Sequence, residues 1–194
     1  MALMTTSATV TMHERIVVAA THLTVEAGWS AVTMGRLAEV VGVSRQTIYN
    51  EVGDKAGLAE AMILAELARF LEAVTSAFDR EPTDLLSAIR RAVNDVLMMS
   101  SGNALLKAVI SASHGADTEL LPLLTTHSDA LVETAKALVS DRVAAFDVPL
   151  TDTQLAGMID VIVRVVFSHV MQPSGTPAEV ADTMAFFAGR VLGV

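Results

Sequence analysis

Arg45, Gln46, Tyr49 and Asn50 stand together in the stretch "GVSRQTIYNEVGDK", residues 42–55. An arginine can pair bidentately with guanine, and a glutamine or asparagine with adenine. A tyrosine hydroxyl commonly meets a backbone phosphate. On a helix opening at Ser44 the four share one face, while Ile48 and Val52, four residues apart, share another and can be buried. Thr47 lies among them. Lys55 and the helix N-termini capped by Thr33 and Ser44 are further phosphate donors. Arg36, near the start of the preceding helix, can reach either a base or a phosphate. From spacing alone a second reading stands beside this one: a solvated amphipathic helix with a chance mixture of polar side chains.

These residues need elements to hold them. Thr11 and Glu14 form an S/T-x-x-E capping box and open a first helix, along which Ile16, Val17, Ala20, Leu23, Thr24 and Ala27 recur at helical spacing. Gly28 fits the positive-φ position just past its end, and Trp29 is expected to pack back on it. Thr33 caps a second helix whose Met34, Leu37, Ala38 and Val41 make one apolar stripe. Gly42 stops that helix and Ser44 caps the next, which runs to about Glu51. Asp54 can cap a long helix from about Lys55 to Phe78. Two short helices joined by a tight turn are the helix-turn-helix pattern, whose second helix enters the major groove.

Beyond Arg80, breaks at "REPTD", "SSGN", "SHGADTE", "FDVPLTD" and "QPSGTPAE" read as loops. They separate helices near 83–99, 103–113, 118–126, 127–146, 151–170 and 177–192. The chain is thus predicted to be all-α, with about nine or ten helices. Its parts are an N-terminal tail at 1–10, a helix-turn-helix domain at 11–60 (motif about 33–52) and a helical domain at 61–194.

Residues 12–60 resemble the DNA-binding domain of the TetR family of bacterial transcription regulators. The resemblance rests on Ala27-Gly28-Trp29, Thr33, Leu37-Ala38, Gly42-Val43-Ser44, Arg45-Gln46, Thr47, Ile48-Tyr49, Lys55 and Leu58, which keep the family's order. Asn50, Glu51 and Val52 depart from it, because the family often has an aromatic or His pair and then Phe there. The resemblance implies a repressor that binds a palindromic operator as a homodimer built from helices 151–170 and 177–192. It also implies a small molecule bound among the middle helices that releases the DNA. Broad apolar faces, Ile159, Ile162, Val163, Val166, Phe167 and Val170 on one helix and Phe186, Phe187, Val191 and Leu192 on the other, must bury against something. They serve either a partner or their own domain.

Candidate pocket residues are Val93, Leu97, Met98, Leu106, Val109, Ile110, His127, Leu131 and Phe167. Val96, Leu105, Leu123, Leu138 and Ile162 join them as wall candidates. Methionine suits a loose apolar cavity, and only 4% of residues are aromatic, which disfavours a stacking site for planar molecules. An aliphatic ligand, fatty-acyl or alkane-like, fits this wall; an ordinary packed core fits it too. Asn94, Asn103, His114, His127, Arg164 and His169 are candidate polar anchors, with Arg164 expected to pair with Asp160, one turn earlier.

Composition sets the outer bounds. The 194 residues are 52% hydrophobic, enough for a sizeable core, and contain no cysteine. Disulfides, Cys-zinc sites and thiol nucleophiles are therefore excluded. The histidines lack metal-ligand spacing, so no metal is expected. No phosphate loop, nucleophile elbow or carboxylate pair marks an enzyme, and no cofactor is expected. The first twelve residues lack the pattern of a signal peptide, and no run of about 18 apolar residues marks a membrane span. A soluble, cytoplasmic protein is expected. The formal charge is −9. Residues 13–60 carry four cations against six acids, a balance of −2. That balance is unusual for a DNA reader and keeps open a helix-turn-helix fold that binds ligand or protein without DNA.

Overall fold

A computed structural model describes residues 10–112 and 128–193, and they are helical throughout apart from short connections. The helices are α1 (Met12–Ala27), α2 (Met34–Val41), α3 (Arg45–Val52), α4 (Lys55–Arg80), α5 (Leu85–Gly102), α6 (Ala104–Ala112), α7 (Ser128–Val143), α8 (Asp152–Met171) and α9 (Pro177–Leu192). The helix expected at 118–126 lies outside the described residues.

The starts of these helices are chemically specified. Thr11 and Glu14 close a capping box on α1, and Thr176 and Glu179 close another on α9, where Pro177 occupies the first turn. Asp84 caps α5 by accepting from the Ser87 backbone N–H at 3.0 Å. Gly42 ends α2 in the left-handed region at φ 77°. A residue with a Cβ would be strained there, so glycine makes the abrupt turn into α3 possible.

The buried side chains form two clusters. The first joins α1, α2, α3 and the start of α4 around Ile16, Leu37, Ile48 and Leu58, all fully buried. Trp29 belongs to it, packing back on α1 as its position after Gly28 suggests. The second joins the end of α4 with α5, α7, α8 and α9 around Ala77, Ala88, Val143 and Ala188. Phe78 and Phe146 meet edge to face there, with ring centroids 6.1 Å apart. The 26-residue α4 contributes to both clusters. At 1.5 Å per residue it spans about 39 Å. Leu105 of α6 also belongs to the first cluster, so α6 reaches back to α1.

Three capping carboxylates set an acid limit. The Thr11 backbone N–H holds Glu14 below the usual carboxyl range, Thr176 does the same for Glu179, and Ser87 for Asp84. A lowered pKa in the folded state adds stability that is fully present above the unfolded value and lost as pH falls through the folded one. The melting temperature should therefore be flat from about pH 7 to pH 5 and fall below about pH 4. A Glu14→Gln/Glu179→Gln variant should lose part of that acid slope in a calorimetric pH series. An unchanged slope would remove these caps from the acid response.

Candidate DNA interface and ligand cavity

The helix-turn-helix face is set from below. Ile48 and Val52 of α3 are buried, at 0% and 7% exposure. The opposite surface therefore has to face outward. Arg45, Gln46, Tyr49 and Asn50 are all exposed on it, and Thr47 is half-buried. Ser44 caps α3 by accepting from the Thr47 N–H at 3.1 Å, and the Ser44 and Thr47 hydroxyls meet at 2.9 Å. Gln46 donates its amide N–H to the Asn50 side-chain oxygen at 2.9 Å. The two amides then display an outward acceptor from Gln46 beside a donor from Asn50. An adenine edge presents the complementary donor and acceptor.

Two glycines allow close approaches here. A Cβ on Gly35 of α2 would lie 2.7 Å from the Arg45 guanidinium, which therefore lies across the start of α2. A Cβ on Gly57 would overlap the Val52 carbonyl oxygen. The end of α3 is thus seated directly on the start of α4. Asp54 caps α4 at this junction, accepting from the Gly57 N–H at 2.9 Å. His13 of α1 meets the Glu51 carbonyl at 3.2 Å, a further tie on α3.

Thr33 caps α2 through the Arg36 N–H at 3.2 Å, and both residues are exposed. The Lys55 ammonium lies 4.9 Å from the centre of the Trp29 ring. That cation–π contact holds Lys55 at the edge of the motif. Of the six acids in this region, Glu14 and Asp54 are engaged as helix caps. The Glu51 side chain is exposed.

A cavity of about 190 Å³ lies between α4, α5, α6, α7 and α8. Among the described residues its wall is apolar except for Glu66. An apolar cavity of roughly 150 Å³ in another protein stays dry and takes up benzene, so this volume is of ligand-holding size. Val93, Leu106, Leu131 and Phe167 line it, as does Val96. Leu97 is buried in the second cluster but is not on the cavity wall. Met98 is 58% exposed and does not belong to the wall. It lies five residues from Val93, about 140° around the helix, so a wall containing Val93 cannot contain Met98. The side chains of Val109 and Ile110, and His127, lie outside the described residues.

The apolar face of α8 turns inward. Ile159 and Ile162 are buried, and Val163, Val166, Phe167 and Val170 line the cavity with them. Part of the α8 face thus lines the chain's own cavity, with Ile159 and Ile162 buried and Val163, Val166, Phe167 and Val170 half-buried. Val161 and Phe186 remain, 43% and 63% exposed, the latter beneath the Arg190 guanidinium at 5.1 Å. Arg164 is exposed and pairs with Asp160 at 3.0 Å, as the one-turn spacing suggests. Lys136 of α7 reaches the same carboxylate at 2.9 Å and lowers its pKa. Among the described residues no cluster of His, Cys, Asp and Glu could hold a metal ion.

Sequence reasoning passed over Glu66. A glutamate within an amphipathic helix reads as a solvated residue. It is buried, and its carboxylate accepts from Asn103, 37 residues away.

The α3–α4 junction gives a direct test. Gly57→Ala places a methyl group against backbone, which cannot rotate away. Overpacking of this kind costs about 1–3 kcal/mol. The variant should melt at a lower temperature and bind DNA more weakly; an unchanged melting curve would mean the close approach is absent in solution.

Comparisons with known proteins agree with this arrangement. Residues 16–62 match the model of bacterial regulatory proteins of the tetR family. Residues 84–190 match that of the bacterial tetracyclin repressor C-terminal domain. The HTH-type transcriptional regulator AlkX of Mycobacterium tuberculosis is 29% identical over 157 residues, covering 81% of this chain and 74% of that protein. The crystal structure of the TetR family repressor AlkX from a Dietzia species, implicated in biodegradation of n-alkanes, superposes with a TM-score of 0.74 at 25% identity. That alignment covers 95% of this chain and 97% of the other. The fatty acid degradation regulator FadR of Bacillus halodurans shares the fold, with a TM-score of 0.54 at 18% identity over 93% and 94% of the two chains. The chain belongs to the TetR family of bacterial transcriptional regulators and is a DNA-binding regulator with a helical C-terminal ligand-binding domain.

Proposed function

We propose that this chain is a homodimeric repressor of a palindromic operator, released from it by a small aliphatic ligand. The observation that carries this reading is the apolar cavity of about 190 Å³ lined by the very helices, α4 and α6, that also enter the DNA-binding core. A ligand that favours one arrangement of α4 and α6 shifts the population of the DNA-competent state. The AlkX relative implicated in n-alkane biodegradation supports an alkane-like or fatty-acyl ligand.

Residues 11–60 form the DNA-binding part in this reading, and residues 61–194 the ligand-binding and dimer-forming part. Arg45, Gln46 and Asn50 meet base edges. Thr33, Ser44, Thr47, Tyr49 and Lys55 meet phosphates, and Arg36 reaches either. The cavity wall of the described residues offers hydrocarbon contacts and no constellation for bond-breaking chemistry. The dimer contact uses α8 and α9. The apolar window of α8 is only 17% buried within one chain, and exposed Val161 and Phe186 mark the surfaces left for a partner. The α8 helix is long and apolar enough to cross a bilayer. Its cavity-facing side packs within the domain, and we assign the remainder to the dimer. A chromosomal regulator of this kind works in the cytoplasm.

Fluorescence-anisotropy titration against DNA flanking the protein's own gene, beside a random duplex, tests the reading across a salt series. Four cations in residues 13–60 release few counterions. Selective binding with a shallow dependence on log salt is expected. Arg45→Ala should cost about 1–3 kcal/mol on the specific duplex and relax discrimination at one position. Equal loss on both duplexes would assign Arg45 to the backbone. A salt slope as steep as that of proteins making six or more phosphate contacts would contradict the few-contact interface.

A further inference from the structure

Glu66 is an anomaly in its surroundings. It is 8% exposed, and it is the single ionisable side chain that the described residues contribute to the cavity wall. Its neighbours there, Ile63, Leu67 and Phe70, offer it no hydrogen bond. A buried carboxylate is costly unless its lone pairs are filled. Asn103 donates its side-chain amide N–H to Glu66 Oε1. The exposed Arg69 guanidinium, 64% accessible, reaches both carboxylate oxygens at 3.3 Å. The Asn103 side-chain oxygen accepts from the Leu106 N–H at 2.9 Å and so caps α6. Both guanidinium–carboxylate contacts are long at 3.3 Å, Asn103 donates to Oε1 alone, and a carboxylate has about four acceptor sites. Glu66 therefore keeps acceptor capacity on Oε2.

That arrangement discriminates among aliphatic ligands. A plain hydrocarbon packed against Glu66 removes water and returns no hydrogen bond. A carboxylate end group would bring a second negative charge to a desolvated site, where like charges repel strongly. A hydroxyl end donates one hydrogen bond to the carboxylate and carries no charge. Hydrogen bonds to charged groups are the stronger class.

We propose that Glu66 is the ligand-recognition residue of the cavity, and that it selects an aliphatic chain ending in an uncharged hydrogen-bond donor, a primary alcohol, over the corresponding carboxylate. The proposal rests on the aliphatic-ligand reading above and narrows it. The chain lies along the apolar wall of α4, α5, α7 and α8, and its hydroxyl donates to Glu66 Oε2. Arg69 stays exposed to solvent, paired with the same carboxylate, which keeps Arg69 from serving as a free cation for an anionic head.

Calorimetric titration of the full-length protein with 1-octanol, octanoate and n-octane supplied through the vapour phase, at about pH 8 so that octanoate is ionised, tests it. Octanol should bind roughly tenfold or more tightly than octanoate, the scale of one charge-assisted hydrogen bond. Glu66→Gln keeps the shape and removes the charge, and should bring the two affinities within about threefold. Octanoate binding as tightly as octanol to the unaltered protein would overturn the proposal whatever the variant does. So would an unchanged octanol preference in a folded Glu66→Gln protein. Octane binding as tightly as octanol would overturn the role of Glu66 and leave the aliphatic cavity standing. No binding of any of the three would overturn both.

Discussion

One helix carries the constraint on which the rest depends. The α4 helix enters the DNA-binding core through Leu58, Ala59 and Met62, and the ligand-side core through Ala77 and Phe78. Between these ends, Ile63, Leu67, Phe70 and Val74 form part of the cavity wall. A helix does not bend freely, and packed cores deform little. Any shift of α4 at the cavity is therefore felt at its other end. There the Val52 carbonyl sits directly over Gly57, so α3 moves with the start of α4. The outward-facing side chains of α3 are thus attached to the same rod as the side chains that face the cavity.

The α6 helix makes a second connection. Leu105 is buried in the DNA-binding cluster and also lines the cavity. Asn103 fixes the start of α6 by bonding at once to Glu66 of α4 and to the backbone of Leu106. Two elements thus run from the cavity into the DNA-binding part, and Glu66 sits where they meet. The acidic balance of the N-terminal part is compatible with this use. Two of its acids, Glu14 and Asp54, are fixed at helix N-termini as caps rather than along the exposed face of α3.

Much of the DNA-binding part was legible in the sequence because its determinants are local. Thr11 with Glu14, Gly42 and Ser44 act within four residues of themselves, and the alternation of buried Ile48 and Val52 with exposed Tyr49 and Asn50 follows from helical period alone. The ligand-side part was less legible. Periodicity shows that α8 has an apolar face but not what covers it. Ile159, Ile162 and Phe167 suited a partner helix as well as a cavity, and tertiary packing placed them inside. Met98 looked equivalent to Leu97 by type, but α5 is amphipathic and one of the two had to face out. Glu66 was invisible because its partner Asn103 is distant in the chain.

In the homodimer proposed above, ligand-driven release requires that an aliphatic ligand change the distance between the two α3 helices. The chain has no cysteine, so one introduced at exposed Glu39 of α2 gives a single spin label per protomer. Electron–electron distance measurement between the two labels, with DNA and then with 1-octanol, reads the spacing directly. With DNA bound, a narrow distribution is expected, because half-sites lie about 34–36 Å or a multiple apart. A displaced or broadened distribution with octanol would support ligand-driven release. Identical distributions in the presence of saturating ligand would contradict it.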